Sequence, residues 1–215
     1  GLGKKNSVDS IEVLWNSGKS EVKYLNDINQ TIVFNEYDAK NIKSLDTEKT
    51  RVFEQTNAID FNHNENYFND FEKEILLPYK QSTLGPFISK GDVNGDNLMD
   101  IYIGGSKGTS GKMYLNTGKN FVYKPIKEFL NDSNYEDMES LFIDIDLDGD
   151  EDLFVVSGGS EFNERSTDLI DRLYINDGNG NFSKSKQDDL NNYTISGKSI
   201  SKIDYDNDGD YDIIV

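Results

Sequence analysis

Asp92, Asn94, Asp96 and Asp100 stand at positions 1, 3, 5 and 9 of a nine-residue loop. Asp144, Asp146, Asp148 and Asp152 repeat that spacing, and so do Asp204, Asp206, Asp208 and Asp212. All three loops read D-x-[DN]-x-D-[GN]-x-x-D. Four side-chain oxygens at this spacing, with the position-7 backbone carbonyl of Leu98, Asp150 or Asp210 beside them, form an all-oxygen donor set. Hard cations such as Ca²⁺ take such a set. Solvated turns are the plainer reading, because Asp and Asn favour turns; three loops in phase with the same flanks argue against it. An EF-hand needs Glu at position 12 and flanking helices. Position 12 here is Ile103, Val155 or Val215, each in a strand-like run.

Other chemistries find little support. His63 is the one histidine and there is no cysteine, so His- or thiolate-based zinc sites are not available. No G-x-S-x-G elbow accompanies His63, which is read as a structural or surface residue. With 40 acidic residues, the sequence cannot single out a carboxylate pair at the separation glycoside chemistry requires.

The elements that must hold the loops repeat with them. The loops begin at 92, 144 and 204, spacings of 52 and 60 residues. A β-branched or aromatic run enters each one (Phe87–Lys90, Leu141–Ile143, Ile200–Ile203) and another leaves it (Ile101–Gly105, Leu153–Gly159, Ile213–Val215). Met113–Phe121 is echoed by Leu173–Phe182, each carrying an Asn-x-Gly turn. These are strands and tight hairpins, about four strands per unit, the size of a β-propeller blade. Residues 124–140 and 160–171 are longer insertions, and Lys127–Leu130 is read as a helical turn.

Composition limits the partners. Net charge is −18, of which residues 1–60 carry −2 and residues 61–215 the other −16. Such a surface repels nucleic acid and anionic membrane unless cations bridge the two. No apolar run reaches membrane-spanning length.

The units resemble FG-GAP/VCBS repeats, the calcium-binding blades of integrin-α-like propellers and of many bacterial surface proteins. The stretch Leu76–Tyr79, Ser82–Pro86 and Gly91–Asp96 resembles the opening blade of large bacterial VCBS proteins. Gly1–Gly3, Val8–Trp15, Ser17-Gly18 and Asn29–Thr31 resemble the end of an ASPIC/UnbV module, as found in cartilage acidic protein. The family's loop carries Gly at position 6, where the backbone is left-handed; Asn97 replaces it in the first loop and tolerates that conformation. The first loop also has neutral Asn94 at position 3, so it ranks below the second in ligand charge.

The resemblance implies an all-β chain, a partial β-propeller of FG-GAP/VCBS blades preceded by a small β module. The expected organisation is a module over residues 1–36, a connector over 37–85 in which 68–74 is extended or partly helical, and blades over 86–215, two complete and a third begun. Trp15, Tyr24 and Phe34 are read as packing residues of the module, with Val8–Trp15 and Thr31–Phe34 as strands. Ca²⁺ is the expected cofactor. The expected role is a non-catalytic scaffold or binding module at the cell exterior, most of all the bacterial outer-membrane surface, recognising protein or glycan. A polysaccharide-active lyase or hydrolase, or its accessory domain, is the second class. Two and a part blades cannot close a ring, so the segment is expected to belong to a longer protein supplying further blades.

Overall fold

The structure, a computed structural model, describes residues 7–25, 27, 29–41, 57–186 and 190–215, without the side chains of Asn41 and Asn191. The Gly1–Gly3 motif and residues 42–56 of the expected connector lie outside these. The chain divides into two units, Gly1–Thr56 and Asn57–Val215.

In the first unit, β1 (Ser10–Leu14), β2 (Lys19–Tyr24) and β3 (Lys40–Asn41) form an antiparallel sheet in that order. Alternation decides which face is covered: Ile11 and Val13 are half-buried while Ser10, Glu12 and Leu14 are exposed. Gly18, at φ 81°, closes the β1–β2 turn, and its N–H donates to the Trp15 carbonyl at 2.9 Å. Two expectations fail here. Tyr24 is 82% exposed rather than packed. Thr31–Phe34 is not a strand; it lies along β2, with Lys23 Nζ donating to the Val33 carbonyl at 2.5 Å and sitting 5.1 Å from the Phe34 ring centre. Among the described residues this unit has one sheet and no second layer, so alternation cannot bury both of its faces.

The second unit opens with an extended stretch carrying a short helical turn, α1 (Asp70–Lys73). Asp70 is fully buried, and its Oδ2 accepts the backbone N–H groups of Gln81 and Ser82. Two four-stranded antiparallel sheets follow, each a simple meander: β4 (Ile88–Gly91), β5 (Asp100–Ile103), β6 (Lys112–Asn116), β7 (Phe121–Lys124), then β8 (Asp137–Ile143), β9 (Asp152–Ser157), β10 (Arg172–Asn176), β11 (Phe182–Lys184). β12 (Ser201–Ile203) and β13 (Asp212–Ile214) form a two-stranded sheet. A helical turn, α2 (Lys127–Asn131), links the first two sheets. This is a partial propeller: nearly all β, with successive blades and no closed ring among the described residues.

First strands of adjacent blades stand side by side, joined by a 2.7 Å hydrogen bond between the Ser89 and Ser140 hydroxyls. Every residue of β9 is buried, and its period of two explains the unbroken run Leu153–Val156. Leu153 and Val155 join Tyr102, Met113, Phe142, Tyr174 and Phe182 between the first two blades. Phe154 and Val156 join Met138, Leu173 and Ile200 on the other face. Phe129 of α2 plugs the first interface, edge-on to Tyr102 and Tyr174 at 5.3 and 4.8 Å between ring centres.

The blade interface also buries an ion pair. Arg172 and Asp137 are 3% and 4% exposed and bond directly. Asp137 Oδ2 accepts the Tyr102 hydroxyl at 2.8 Å and the Gly105 N–H at 2.7 Å, and Arg172 Nε reaches the Ser157 hydroxyl at 3.1 Å. Burial opposes the guanidinium charge, but the Asp137 carboxylate outweighs it and holds Arg172 protonated. Removing one partner of such a pair leaves a buried charge. Arg172→Ala should therefore cost about 3 kcal/mol in urea unfolding, and Asp137→Ala with Arg172→Ala should cost less than the two single losses combined. Additive losses would show that the pair is not coupled.

Candidate metal centre in the blade loops

Each acidic loop joins the first and second strands of a blade. The backbone enters the left-handed region twice per loop: at position 4 (Gly95, Leu147, Asn207; φ 72°, 62°, 60°) and at position 6 (Asn97, Gly149, Gly209; φ 65°, 98°, 99°). Asn97 takes the conformation expected of it. Position 4 was not anticipated, because Leu147 gives no sign of it; a leucine there is strained by about 1–2 kcal/mol.

Carboxylates shape the loop from within. Asp92 accepts the N–H groups of Asp96 and Asn97 at 3.1 and 2.8 Å, and Asp144 those of Asp148 and Gly149, both at 3.1 Å. Asn94 Oδ1 accepts the Asp96 N–H at 3.0 Å. The position-5 carboxylates of Asp96, Asp148 and Asp208 accept the position-7 N–H groups of Leu98, Asp150 and Asp210 at 2.8, 3.1 and 3.1 Å. At position 9, Oδ2 of Asp100, Asp152 and Asp212 accepts the N–H of Val93, Ile145 and Tyr205 at 3.1, 3.1 and 2.9 Å. Oδ1 of Asp100 and Asp152 then takes the N–H of Asn116 and Asn176, at the ends of β6 and β10, at 2.7 and 2.8 Å.

The loops differ in how their acids converge. Asp144, Asp146 and Asp152 place one oxygen each within 4.8 Å of the others, and so do Asp204, Asp206 and Asp208. Among the described residues the first loop forms no such triad, since Asn94 occupies position 3. Asp148 lies outside the second triad and Asp212 outside the third.

The family comparison bears directly on these loops. The family model for FG-GAP-like repeats matches residues 92–155 and 144–215, more than half of the chain. The chain belongs to the FG-GAP-like repeat family. A second family model, ASPIC and UnbV, matches residues 1–41. No curated protein and no solved structure matches. The FG-GAP-like blades and the ASPIC and UnbV module make the chain a repeat-built binding or scaffold module.

In the second FG-GAP-like loop, Asp150 is pushed up to about 6, by burial first and then by Asp148, Asp152, Asp146 and Asp144. Burial likewise raises Asp100 and Asp152 against the pull of their backbone donors. Asp150 Oδ1 and Asp204 Oδ1 are buried without a hydrogen-bond partner. No Lys or Arg pairs with the loop carboxylates among the described residues. Clustered, unpaired oxygen donors fit a hard divalent cation, which would neutralise charge that the protein leaves uncompensated.

Sequence reasoning missed the stitches between blades. Glu151, at position 8, accepts the Asp92 N–H at 3.0 Å, and the Asn176 amide donates to the Val93 carbonyl at 2.9 Å. The repeated Asn-x-Gly echo was the available signal for Asn176.

Two outcomes follow from this geometry. Leu147→Asn should relieve strain worth about 1 kcal/mol and raise the melting point by about 2–4 °C; an unchanged or lower value would remove the strain. In metal-free protein, the raised Asp150 binds its proton more tightly folded than unfolded, so its contribution to stability falls as pH rises to about 6. Asp150→Asn should accordingly melt above wild type beyond pH 6, with the difference fading toward about pH 4.

Proposed function

We propose that this chain is a non-catalytic, calcium-binding scaffold or binding module of the cell exterior, foremost the bacterial outer-membrane surface, that recognises protein or glycan. The observation that carries the reading is the convergence of unpaired carboxylates in the Asp144–Asp152 and Asp204–Asp212 loops, in phase with the blade repeat. The ligands are Asp144, Asp146, Asp148 and Asp152 with the Asp150 carbonyl, and their equivalents in the other two loops. Calcium supplies no reaction here. It neutralises like charges in the link between first and second strands, so that the folded blade is favoured over the unfolded chain.

Sites of modest affinity are filled where calcium is about millimolar, which favours the cell exterior. The −18 net charge disfavours nucleic acid as a partner. No helix among the described residues is long and apolar enough to cross a membrane. Further propeller blades are the first partner in this reading. Phe154, Leu173, Leu190 and Ile213 line a cleft of about 690 Å³ beside β12 and β13. In the first blade pair, Tyr174 and Phe182 from the third and fourth strands are packed against Tyr102 and Met113. A third and fourth strand beside β13 would supply equivalent groups.

Scanning calorimetry tests the calcium reading. Saturation at a hundredfold excess stabilises by about 2.7 kcal/mol per site, so millimolar Ca²⁺ should raise the melting point well above that in EDTA. Asp144→Asn with Asp146→Asn should remove part of the rise. Identical melting in Ca²⁺ and EDTA would overturn the proposal.

A further inference from the structure

The two complete blades show what a second strand requires on its far side. Their third strands, β6 and β10, run into the turns Met-Tyr-Leu-Asn-Thr-Gly (113–118) and Leu-Tyr-Ile-Asn-Asp-Gly (173–178). Both set the tyrosine opposite the residue that follows the position-9 aspartate: Tyr114 pairs with Ile101, and Tyr174 with Leu153. Both place the asparagine N–H on Oδ1 of that aspartate, at 2.7 Å for Asp100 and 2.8 Å for Asp152. The asparagine side chain then turns the chain toward the fourth strand. Oδ1 of Asn116 accepts the Gly118 N–H at 2.9 Å, and Oδ1 of Asn176 the Gly180 N–H at 3.0 Å.

In the third sheet that far side is open. β13 pairs with β12, Asp212 opposite Ile203 and Ile213 opposite Lys202, and no strand pairs with its other edge among the described residues. Asp212 keeps one half of the anchor: its Oδ2 accepts the Tyr205 N–H at 2.9 Å, and no donor among the described residues reaches its Oδ1. Ile214 and Val215 are each 55% exposed, whereas their counterparts Phe154 and Val155 are 5% and 0% exposed.

The cleft of about 690 Å³ beside this edge repeats the place that Tyr174 occupies one interface earlier. Tyr174 is fully buried in a cluster with Tyr102 and Met113. Tyr102 stands two residues after Asp100, and Met113 three before Asn116; the same count gives Phe154 and Leu173 in the second blade, and both line the cleft. Ile213, the counterpart of Leu153, packs against the cluster that contains them. Leu190 enters from the link between β11 and β12, as Phe129 of α2 enters the first interface. Facing residues of an antiparallel pair share a face, so a tyrosine opposite Ile213 would point toward Phe154 and Leu173. A slip of one residue would turn that tyrosine outward and carry the asparagine N–H away from Asp212.

We propose that the β13 edge and this cleft form a docking site for an extended strand of the same repeat, reading apolar-Tyr-apolar-Asn-x-Gly, which pairs antiparallel to β13 with its tyrosine opposite Ile213 and its asparagine N–H on Asp212 Oδ1. The site rests on the reading that further blades are a partner, and it names what such a blade must present. A labelled peptide copying residues 172–184, the third and fourth strands of the second blade, tests it on the full chain by fluorescence anisotropy in millimolar Ca²⁺. Saturable binding is expected, with hydrogen-exchange protection gained at residues 212–215, as strand addition to a sheet edge requires. Tyr174→Ser in the peptide should weaken binding at least about tenfold by removing the buried ring. Methylating the backbone nitrogen of Asn176 in the peptide should weaken it about as much, since that bond is to a carboxylate. No saturable binding, equal binding by all three peptides, or protection gained only outside β13 would overturn the site. So would a dimer of the chain, seen by sedimentation, that the peptide leaves intact, because a second copy would then hold the edge. These results are separate from calcium-dependent melting, which tests the loops and not the edge.

Discussion

Asp100 and Asp152 anchor their blades through a carboxylate with no exposed surface. One oxygen fastens the start of the acidic loop, and the other fastens the end of the third strand. Burying a carboxylate is costly unless its oxygens are satisfied, and backbone N–H groups held by a sheet are rigid donors. Loop shape and sheet register are therefore parts of one constraint. A shift of β6 or β10 by one residue would turn the asparagine N–H away and leave the charge stranded. The remaining loop acids can then point at one another, since hydrogen bonds hold the chain reversal against their mutual repulsion.

From this anchor the blades are joined to each other. Glu151 and Asn176 reach from the second blade to the first loop, close to the acidic-loop ends of the strands. Arg172 and Asp137 lie at the other end, among Tyr102, Tyr174 and Ser157. Between them Leu153 and Val155 fill one side of β9, and Phe154 and Val156 the other. Acidic side chains thus gather at both ends of strands whose middles are apolar. The apolar middle holds the ends at fixed separation.

Much of the propeller was legible from residues. The in-phase loops, the strand runs on either side and the Asn-x-Gly echoes located every strand pair around a loop, because a hairpin is a local structure with local turn chemistry. Position 4 of the loop was hidden, since Leu147 is an unlikely residue for its φ of 62° and only Gly95 and Asn207 hint at it. In the amino-terminal module, alternation marked β1, yet it misjudged Tyr24 and Thr31–Phe34. A period of two says which face a residue shares, and it does not say whether another layer covers that face.

Local spacing by itself determined the repeated acid pattern, the hairpins on either side of it and the blade, because tight turns and the strands they join are local structures. Tertiary structure alone decided which acids converge, which of them also serve as anchors, and that Asn66 meets Glu161, 95 residues away. Glu65, Glu136 and Glu161 share no spacing and sit in three unrelated stretches, so no periodicity could connect them. They come to one region because the first strands of adjacent blades stand side by side and Gly85 and Gly159 leave room for Glu65 and Glu136. That packing is a property of the assembled blades and of no single segment.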